Sequence, residues 1–405
     1  MNPPSAVAAA AGRIVRALKD AGHQALWAGG CVRDMLLGRE PSDIDIATSA
    51  TPEQIMALFK PTRKVGVQFG VVLVRKAGHW FEVATFRRDV NYADGRRPEQ
   101  VVFTDAREDA LRRDFTINGL FYDPITGQVI DYVGGQEDLR AGLVRAIGDP
   151  AQRFAEDHLR LLRAARFAAR LGFQIEASTA EAVRAHAADL VRISPERIRE
   201  ELEKMLAHPA RARAFALMAD LNLLMHLWPR AEWSDRQIEV CRRVLTELPP
   251  SCGFIPALAA LLHDRSAEHV QHVTRALRCS NHEIALARWL VQQQARMPDF
   301  AAFTPADARK IRAHPGFDDL LLIHRAVCTA TGRPRTGLAA AERLRDALTA
   351  DQATPPPFIT GEDLIDKGLK PGPRFKDILN RLYDAQLNGQ LTSRDAALKQ
   401  LQQYL

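Results

Sequence analysis

The stretch Leu26 to Ala47, LWAGGCVRDMLLGREPSDIDIA, constrains the fold most, because a short apolar run, a double glycine, an arginine-bearing segment and two spaced aspartates follow in one order. Leu26, Trp27 and Ala28 read as a buried strand, and Gly29 and Gly30 as a turn where backbone can approach a ligand closely. Val32 to Leu37 reads as a helix whose N-terminus favours phosphate, and Arg33 in its first turn adds a forked, charge-assisted contact. If the following run is extended, Asp43 and Asp45 point to one side while Ile44 and Ile46 face the core.

Two neighbouring carboxylates repel, and a divalent cation relieves the repulsion. Mg²⁺ suits such a site, since it takes one or two carboxylates together with phosphate oxygens and water. A two-ion arrangement, with cations about 3.5–4 Å apart, would activate an attacking hydroxyl and support a leaving pyrophosphate. An isolated Asp-x-Asp is more often a solvated loop; the phosphate cradle upstream favours the metal reading here. Glu82, in the strand-like run WFEVATF, either faces solvent on an alternating strand or completes the site with Asp43 and Asp45. We expect the second, because an unpaired carboxylate among apolar neighbours costs several kcal/mol, on the order expected for burying a charge.

Gly148, Asp149 and Pro150 are expected to open a helix running through Glu156, Asp157, Arg160, Arg163 and Arg166. At about 100° per residue these side chains form a slanting stripe with Asp157 and Arg160 as neighbours. Asp accepts hydrogen bonds and Arg donates them. Cytosine and adenine both offer an amino donor beside a ring-nitrogen acceptor, whereas uracil and guanine present the reverse. An Asp157 and Arg160 pair could therefore accept C and A and reject U and G, a discrimination of roughly 10⁴-fold for sites of this kind. The plainer reading is a salt-bridged surface helix, but Leu159, Leu161, Leu162, Ala165 and Phe167 leave little of that face to solvent.

In order along the chain, GGCVRD with DID, RRDFTINGLFYD from Arg112, DYVGGQEDL from Asp131, EDHLRLLRAARFAARLGF from Glu156 and ISPERIREELEKML from Ile193 resemble the motifs of one family. It is the class II tRNA nucleotidyltransferases, which include CCA-adding enzymes and bacterial poly(A) polymerases, within the polymerase-β-like superfamily. The resemblance implies an α+β fold: a polymerase-β-like nucleotidyltransferase head with a small β-sheet, followed by an all-α neck, body and tail. It implies catalytic Asp43, Asp45 and Glu82, with Mg²⁺ on Asp43 and Asp45. Gly29, Gly30, Arg33, Arg113, Asp114 and Asn118 match positions that hold triphosphate and ribose, and Asp157, Arg160, Arg163 and Arg166 match those that read the base. The implied reaction builds or repairs the 3′-terminal CCA of tRNA from CTP and ATP without a nucleic-acid template. Poly(A) addition, or partial addition of CC or A, is the alternative.

The polar run Phe86 to Phe103 reads as a mobile surface loop around Asp94-Gly95-Arg96-Arg97-Pro98, an element that argues, through the resemblance, against an enzyme adding only C. Strand-like runs alternate with helices before about residue 145, with a hairpin expected around Asp123 to Gly127; helical spacing dominates afterwards, with no convincing strand. The expected division is a catalytic head over 1–145, a neck over 146–210, a body over 211–350 and a tRNA-contacting tail over 351–405. In the tail, Thr360 and Asp363 form a capping-box-like start, a further helix spans Lys376 to Asn388, and Lys367, Lys370, Arg374 and Lys376 could touch phosphate.

A net charge of +6 permits a nucleic-acid partner without requiring one. Five cysteines without CxxC spacing suit a reducing cytoplasm and give no zinc site. Arg13, Arg16 and Lys19 interrupt the N-terminal apolar run, so neither a signal peptide nor a membrane span is expected. A monomer is expected, with a dimer as the alternative. His263 and Asp264 resemble a phosphohydrolase ligand pair, but no constellation accompanies them, and His263 is expected at a helix end.

Overall fold

The computed structural model describes residues 5–41, 43–65, 69–92, 98–228 and 233–404. The chain divides into two compact units, Met1–Met205 with Arg213–Trp233, and Leu206–Ala212 with Ser234–Leu405.

The first unit opens with α1 (Ala6–Asp20), capped by Ser5, whose apolar stripe of Ala10, Ile14, Val15 and Leu18 is fully buried. Next come β1 (Ala25–Ala28), α2 (Gly30–Leu36), β2 (Ile46–Thr48), α3 (Pro52–Leu58), β3 (Thr62–Lys64), β4 (Val71–Lys76) and β5 (His79–Thr85). The hairpin β6 (Arg87–Tyr92) and β7 (Pro98–Phe103), α4 (Ala106–Leu111), β8 (Leu120–Asp123) and β9 (Gln128–Asp131) complete the head. Seven strands form one sheet in the order β3-β4-β5-β2-β1-β8-β9. Every residue of β1 is buried, as a central strand requires, and Leu26, Ala28, Ala47, Phe86, Ala106, Ala110 and Phe121 form a core cluster.

Register positions the acidic residues. β2 runs parallel to β5 with Ile46 opposite Val83, so Asp45 and Glu82, each one residue earlier, reach the same end of the sheet together. The Asp45 carbonyl accepts from Ala28 N at 3.0 Å, which carries the β1–β2 pairing one step beyond the strand. Regular strand begins only at Ile46, yet the expected alternation holds: Asp43 and Asp45 are exposed, Ile44 and Ile46 buried. The hairpin expected at Asp123–Gly127 is present between β8 and β9.

Three expectations need correction. Phe86–Phe103 is not simply a loop: β6 and β7 pair antiparallel from Arg87–Phe103 to Tyr92–Pro98, stabilised by backbone bonds that a polar sequence can make as well as an apolar one. Residues 93–97, which hold most of the Asp-Gly-Arg-Arg-Pro element, lie outside the described residues. A strand does follow residue 145: after α5 (Gly135–Ala141), β10 (Leu143–Val144) pairs in parallel with β11 (Gln174–Ile175), too short for periodicity to reveal. The single helix expected from Pro150 to Arg166 is two, α6 (Pro150–Glu156) and α7 (Leu159–Leu171). Asp157 leaves helical geometry at φ −143° and its side chain accepts from Leu159 N, the local bond by which Asp favours helix ends over interiors. α8 (Ala177–His186) and α9 (Pro195–Leu206) then pass toward the end of this unit.

In the second unit the regular elements among the described residues are all helices. Diproline 249–250 separates Asp235–Thr246 from Phe254–Leu261, and Gly332, at φ 69°, ends Phe317–Thr331. Arg211 is 1% exposed and donates to the carbonyls of Leu206, Leu248, Pro249 and Pro250, binding that diproline corner where Pro supplies no N–H. Near the C-terminus Ile359, Leu364, Ile378, Leu382, Leu391 and Leu401 make a separate small core. There Thr360 N donates to Asp363 Oδ2 at 2.7 Å, the expected cap, and the next helix runs Pro373–Leu387, three residues earlier at its start than Lys376. Among the described residues no helix is long and apolar enough to cross a membrane.

Candidate active site

A cavity of about 460 Å³ in the first unit is lined by every expected nucleotide-binding residue. Its floor is the β1–α2 turn. Gly29 has φ +72°, a conformation that favours glycine, and a Cβ there would lie 2.7 Å from an Arg113 guanidinium nitrogen and displace that side chain. α2 is only seven residues long, and its dipole is correspondingly a minor contributor beside the arginines.

Those arginines are held by a connected set of acceptors. Arg33 donates to Asn118 Oδ1 at 2.6 Å, Asn118 Nδ2 donates to Asp114 Oδ1 at 3.0 Å, and Arg163 Nε donates to Asp114 Oδ2 at 2.7 Å. Burial alone would raise the Asp114 carboxyl, but Arg163 and the Asn118 hydrogen bond outweigh it and hold the group at about 2. Arg113 pairs with buried Asp109 at 3.0 Å and lies over the Phe121 ring. Arg166 pairs with Glu201 of α9 at 2.6 Å; the Glu201 side chain is only 2% exposed.

Asp157 and Arg160 both line the cavity, and each is held by partners of its own. Asp157 accepts from Arg197 of α9 through both oxygens at 3.0 Å, while Arg160 donates to Glu156 and to the Arg153 and Arg112 carbonyls. The helix break separates them in role: the acceptor is secured from α9 and the donor from α6. Oδ1 of Asp157 also accepts from Leu159 N, so Oδ2 is the oxygen that retains accepting capacity after that contact.

On the acidic side, Asp45 lines the cavity, and Asp43 and Glu82 are exposed outside its lining. The Asp45 carboxyl is open to the groove yet walled in by protein; this confinement, then the charge of Glu82, push it up to about 6, with Arg113 opposing and Asp43 adding to the rise. The three acids therefore share an electrostatic neighbourhood, which for Asp45 and Glu82 follows from the sheet register. Among the described residues, however, no three His, Cys, Asp or Glu side chains stand gathered closely enough to hold a metal. The donors fit a hard cation that takes two carboxylates and completes its shell with phosphate and water.

Arg112, Phe167 and Arg170 line the cavity without having been singled out from sequence. Arg170 continues the three-to-four-residue spacing of the α7 arginines, a signal that could have found it. Phe167, among apolar neighbours, carries only a packing signal in the sequence. Arg197 and Glu201 could not have been paired with Asp157 and Arg166 from separations of 40 and 35 residues. His263, expected at a helix end, follows Phe254–Leu261; its Nδ1 lies 3.0 Å from the Ala260 carbonyl, and burial lowers its pKa.

Residues 25–145 match the family model described as the Poly A polymerase head domain, and 172–233 match that of the probable RNA and SrmB-binding site of polymerase A. The chain is 36% identical over 380 residues to the CCA-adding enzyme of Geobacillus thermodenitrificans, covering 93% of this chain and 92% of the relative. The CCA-adding enzyme of Lactobacillus helveticus is 33% identical over 404 residues, 96% of this chain and 95% of its own. The Bacillus stearothermophilus CCA-adding enzyme, solved in complex with CTP, superposes with a TM-score of 0.82 at 31% identity, over 100% of this chain and 99% of that one. The Thermotoga maritima CCA-adding enzyme, complexed with tRNA, shares the fold at a TM-score of 0.69, 22% identity and coverage of 97% and 94%.

Proposed function

The chain belongs to the CCA-adding enzyme family of nucleotidyltransferases, and from that membership we propose that it builds or repairs the 3′-terminal CCA of tRNA from CTP and ATP without a template. The observation that carries this is one cavity in which a glycine turn, an arginine cluster, an aspartate of the acidic group and the Asp157–Arg160 donor–acceptor set all meet.

In the proposed reaction the tRNA 3′ oxygen bonds to the α-phosphorus of CTP or ATP, the bond to the β-phosphate oxygen breaks, and pyrophosphate leaves. Asp43 and Asp45 would hold Mg²⁺ with Glu82 in support. When bound, the cation supplies activation of the hydroxyl and charge neutralisation at the leaving group. Gly29 and Gly30 let the phosphates approach the backbone, and Arg33 and Arg113 direct donors at them. Asp114 and Asn118 hold the ribose. Asp157 accepts from the base amino group and Arg160 donates to the adjacent ring nitrogen; U and G would leave both unpaired in a desolvated site, the condition that makes discrimination large. Arg163 and Arg166 back the base and triphosphate.

The functional division we propose follows a head over 1–145, neck over 146–210, body over 211–350 and tail over 351–405. Exposed Lys367, Lys370, Arg374 and Lys376 of the tail would contact tRNA phosphate. The reading carries with it a cytoplasmic protein that acts as a monomer, with a dimer as the alternative that sedimentation would reveal. The experiment offers tRNA ending before CCA, after C and after CC, with CTP or ATP separately, and sequences the products. Ordered C, C, A addition supports the proposal. The head-domain family name keeps polyadenylation as the second reading, and a long adenylate tail from ATP alone would select it.

A further inference from the structure

Phe167 stands among three guanidinium groups. Arg33, Arg163 and Arg166 lie 5.3, 5.1 and 4.2 Å from its ring centroid. The ring is 6% exposed, borders the cavity and meets fully buried Phe115 edge-on at 5.9 Å and 78°. Arg33 belongs to α2 and the other two to α7, so one side chain joins two elements that supply the cationic wall.

Three like charges brought together repel, and each already has a polar partner: Asn118 for Arg33, Asp114 for Arg163 and Glu201 for Arg166. A further carboxylate among them would relieve the repulsion but would compete with an incoming phosphate for the same N–H donors. An aromatic face attracts guanidinium groups through its quadrupole and uses none of those donors in conventional hydrogen bonds. It also fixes the guanidinium planes by packing. A leucine could fill most of the volume without offering the face.

We propose that Phe167 is a positioning residue that gathers Arg33, Arg163 and Arg166 into one surface for the triphosphate of the incoming nucleotide. This rests on the reading in which the cavity takes CTP and ATP. It implies a dependence on the number of phosphates that base recognition does not share.

The test measures equilibrium binding of CTP, CMP and inorganic triphosphate to wild type, Phe167→Leu and Phe167→Tyr, alongside thermal unfolding and single-nucleotide addition. Phe167→Leu should weaken CTP and inorganic triphosphate by roughly tenfold while changing CMP by less than about twofold. Phe167→Tyr, which keeps the ring face, should restore triphosphate binding to within about twofold of wild type. In turnover, KM for CTP and ATP should rise together with the preference for C and A over U and G unchanged. Equal weakening of CTP and CMP, or a lower Tm with triphosphate affinity intact, would reduce Phe167 to a core residue and overturn the inference. The two readings separate cleanly. Wild type that binds triphosphate through Phe167 but never makes CCA removes the proposed reaction and leaves the positioning role, whereas normal CCA addition with unaltered triphosphate binding in Phe167→Leu does the opposite.

Discussion

The cationic and acidic sides of the cavity are built on different principles. Arg33, Arg113, Arg160, Arg163 and Arg166 are each held by an acceptor of the same unit, so their geometry is set before any ligand arrives. Around Asp45 the balance is opposite: confinement and the neighbouring acids Glu82 and Asp43 disfavour its charge, with Arg113 as the opposing influence. One wall spends its electrostatic strain inside the protein, and the other keeps it. Pre-organised donors lose little freedom on binding, whereas crowded carboxylates create affinity for a cation.

The contrast can be broken most decisively at the acids. Asp43→Asn and Asp45→Asn should each abolish nucleotide incorporation with the thermal unfolding profile retained; near-normal turnover in either would remove that residue from the proposed metal site. Next comes the donor proposed to read the base. Arg160→Ala should relax the choice among the four nucleotides by a large part of the roughly 10⁴-fold range available to such sites, measured by competing single-nucleotide additions. Unchanged selectivity would refute the protein-template reading.

Glu201→Gln tests the arginine wall from behind. It removes the charge from a nearly fully buried partner of Arg166, and chemical denaturation should report a loss of about 3 kcal/mol. A negligible loss would show that the wall does not depend on internal pairing.

pH separates the two walls without mutation. Asp45 has a raised folded pKa, so its contribution to folding stability is fully present below the ordinary carboxyl value of 3.8 and is lost as pH rises through about 6. Cation binding requires the deprotonated form and runs the other way, weakening by roughly tenfold per pH unit below that point if one proton is released. Asp114, depressed to about 2, stabilises the fold above 3.8 and loses that contribution only as pH falls toward about 2. Mg²⁺ titration followed by calorimetry should therefore lose affinity in a pH range where the arginine wall is still intact. Flat Mg²⁺ affinity across about pH 5–7.5 would contradict the acidic-site account.

The smallest effect is expected in the tail. Lys370→Gln should weaken tRNA binding modestly and lower the salt-dependence slope by about one phosphate contact, leaving nucleotide selection alone. An unchanged slope would take Lys370 off the tRNA path.

The sequence was most legible where function depends on local order. The strand, the glycine turn and the alternation of Asp43, Ile44, Asp45 and Ile46 appear within one short segment and are found in the order read, with the helix that bears Arg33 opening at Gly30 rather than at Val32. It was least legible where a short polar side chain redirected the backbone: Asp157 broke a helix that charge spacing alone had made continuous. The hairpin over 87–103 was missed because its strands are polar and alternation there carries no burial signal.

By itself the sequence determined the residue types of the site, their order and the family to which they belong, because glycine freedom, carboxylate charge and arginine's donors are properties of single residues. Only the tertiary structure decided the partners. Arg197 reaches Asp157 across 40 positions, Arg163 reaches Asp114 across 49, and Phe167 of one helix meets Arg33 of another. Such long-range contacts arise from packing whole elements together, and no local pattern in the chain encodes which buried charges will then neutralise one another.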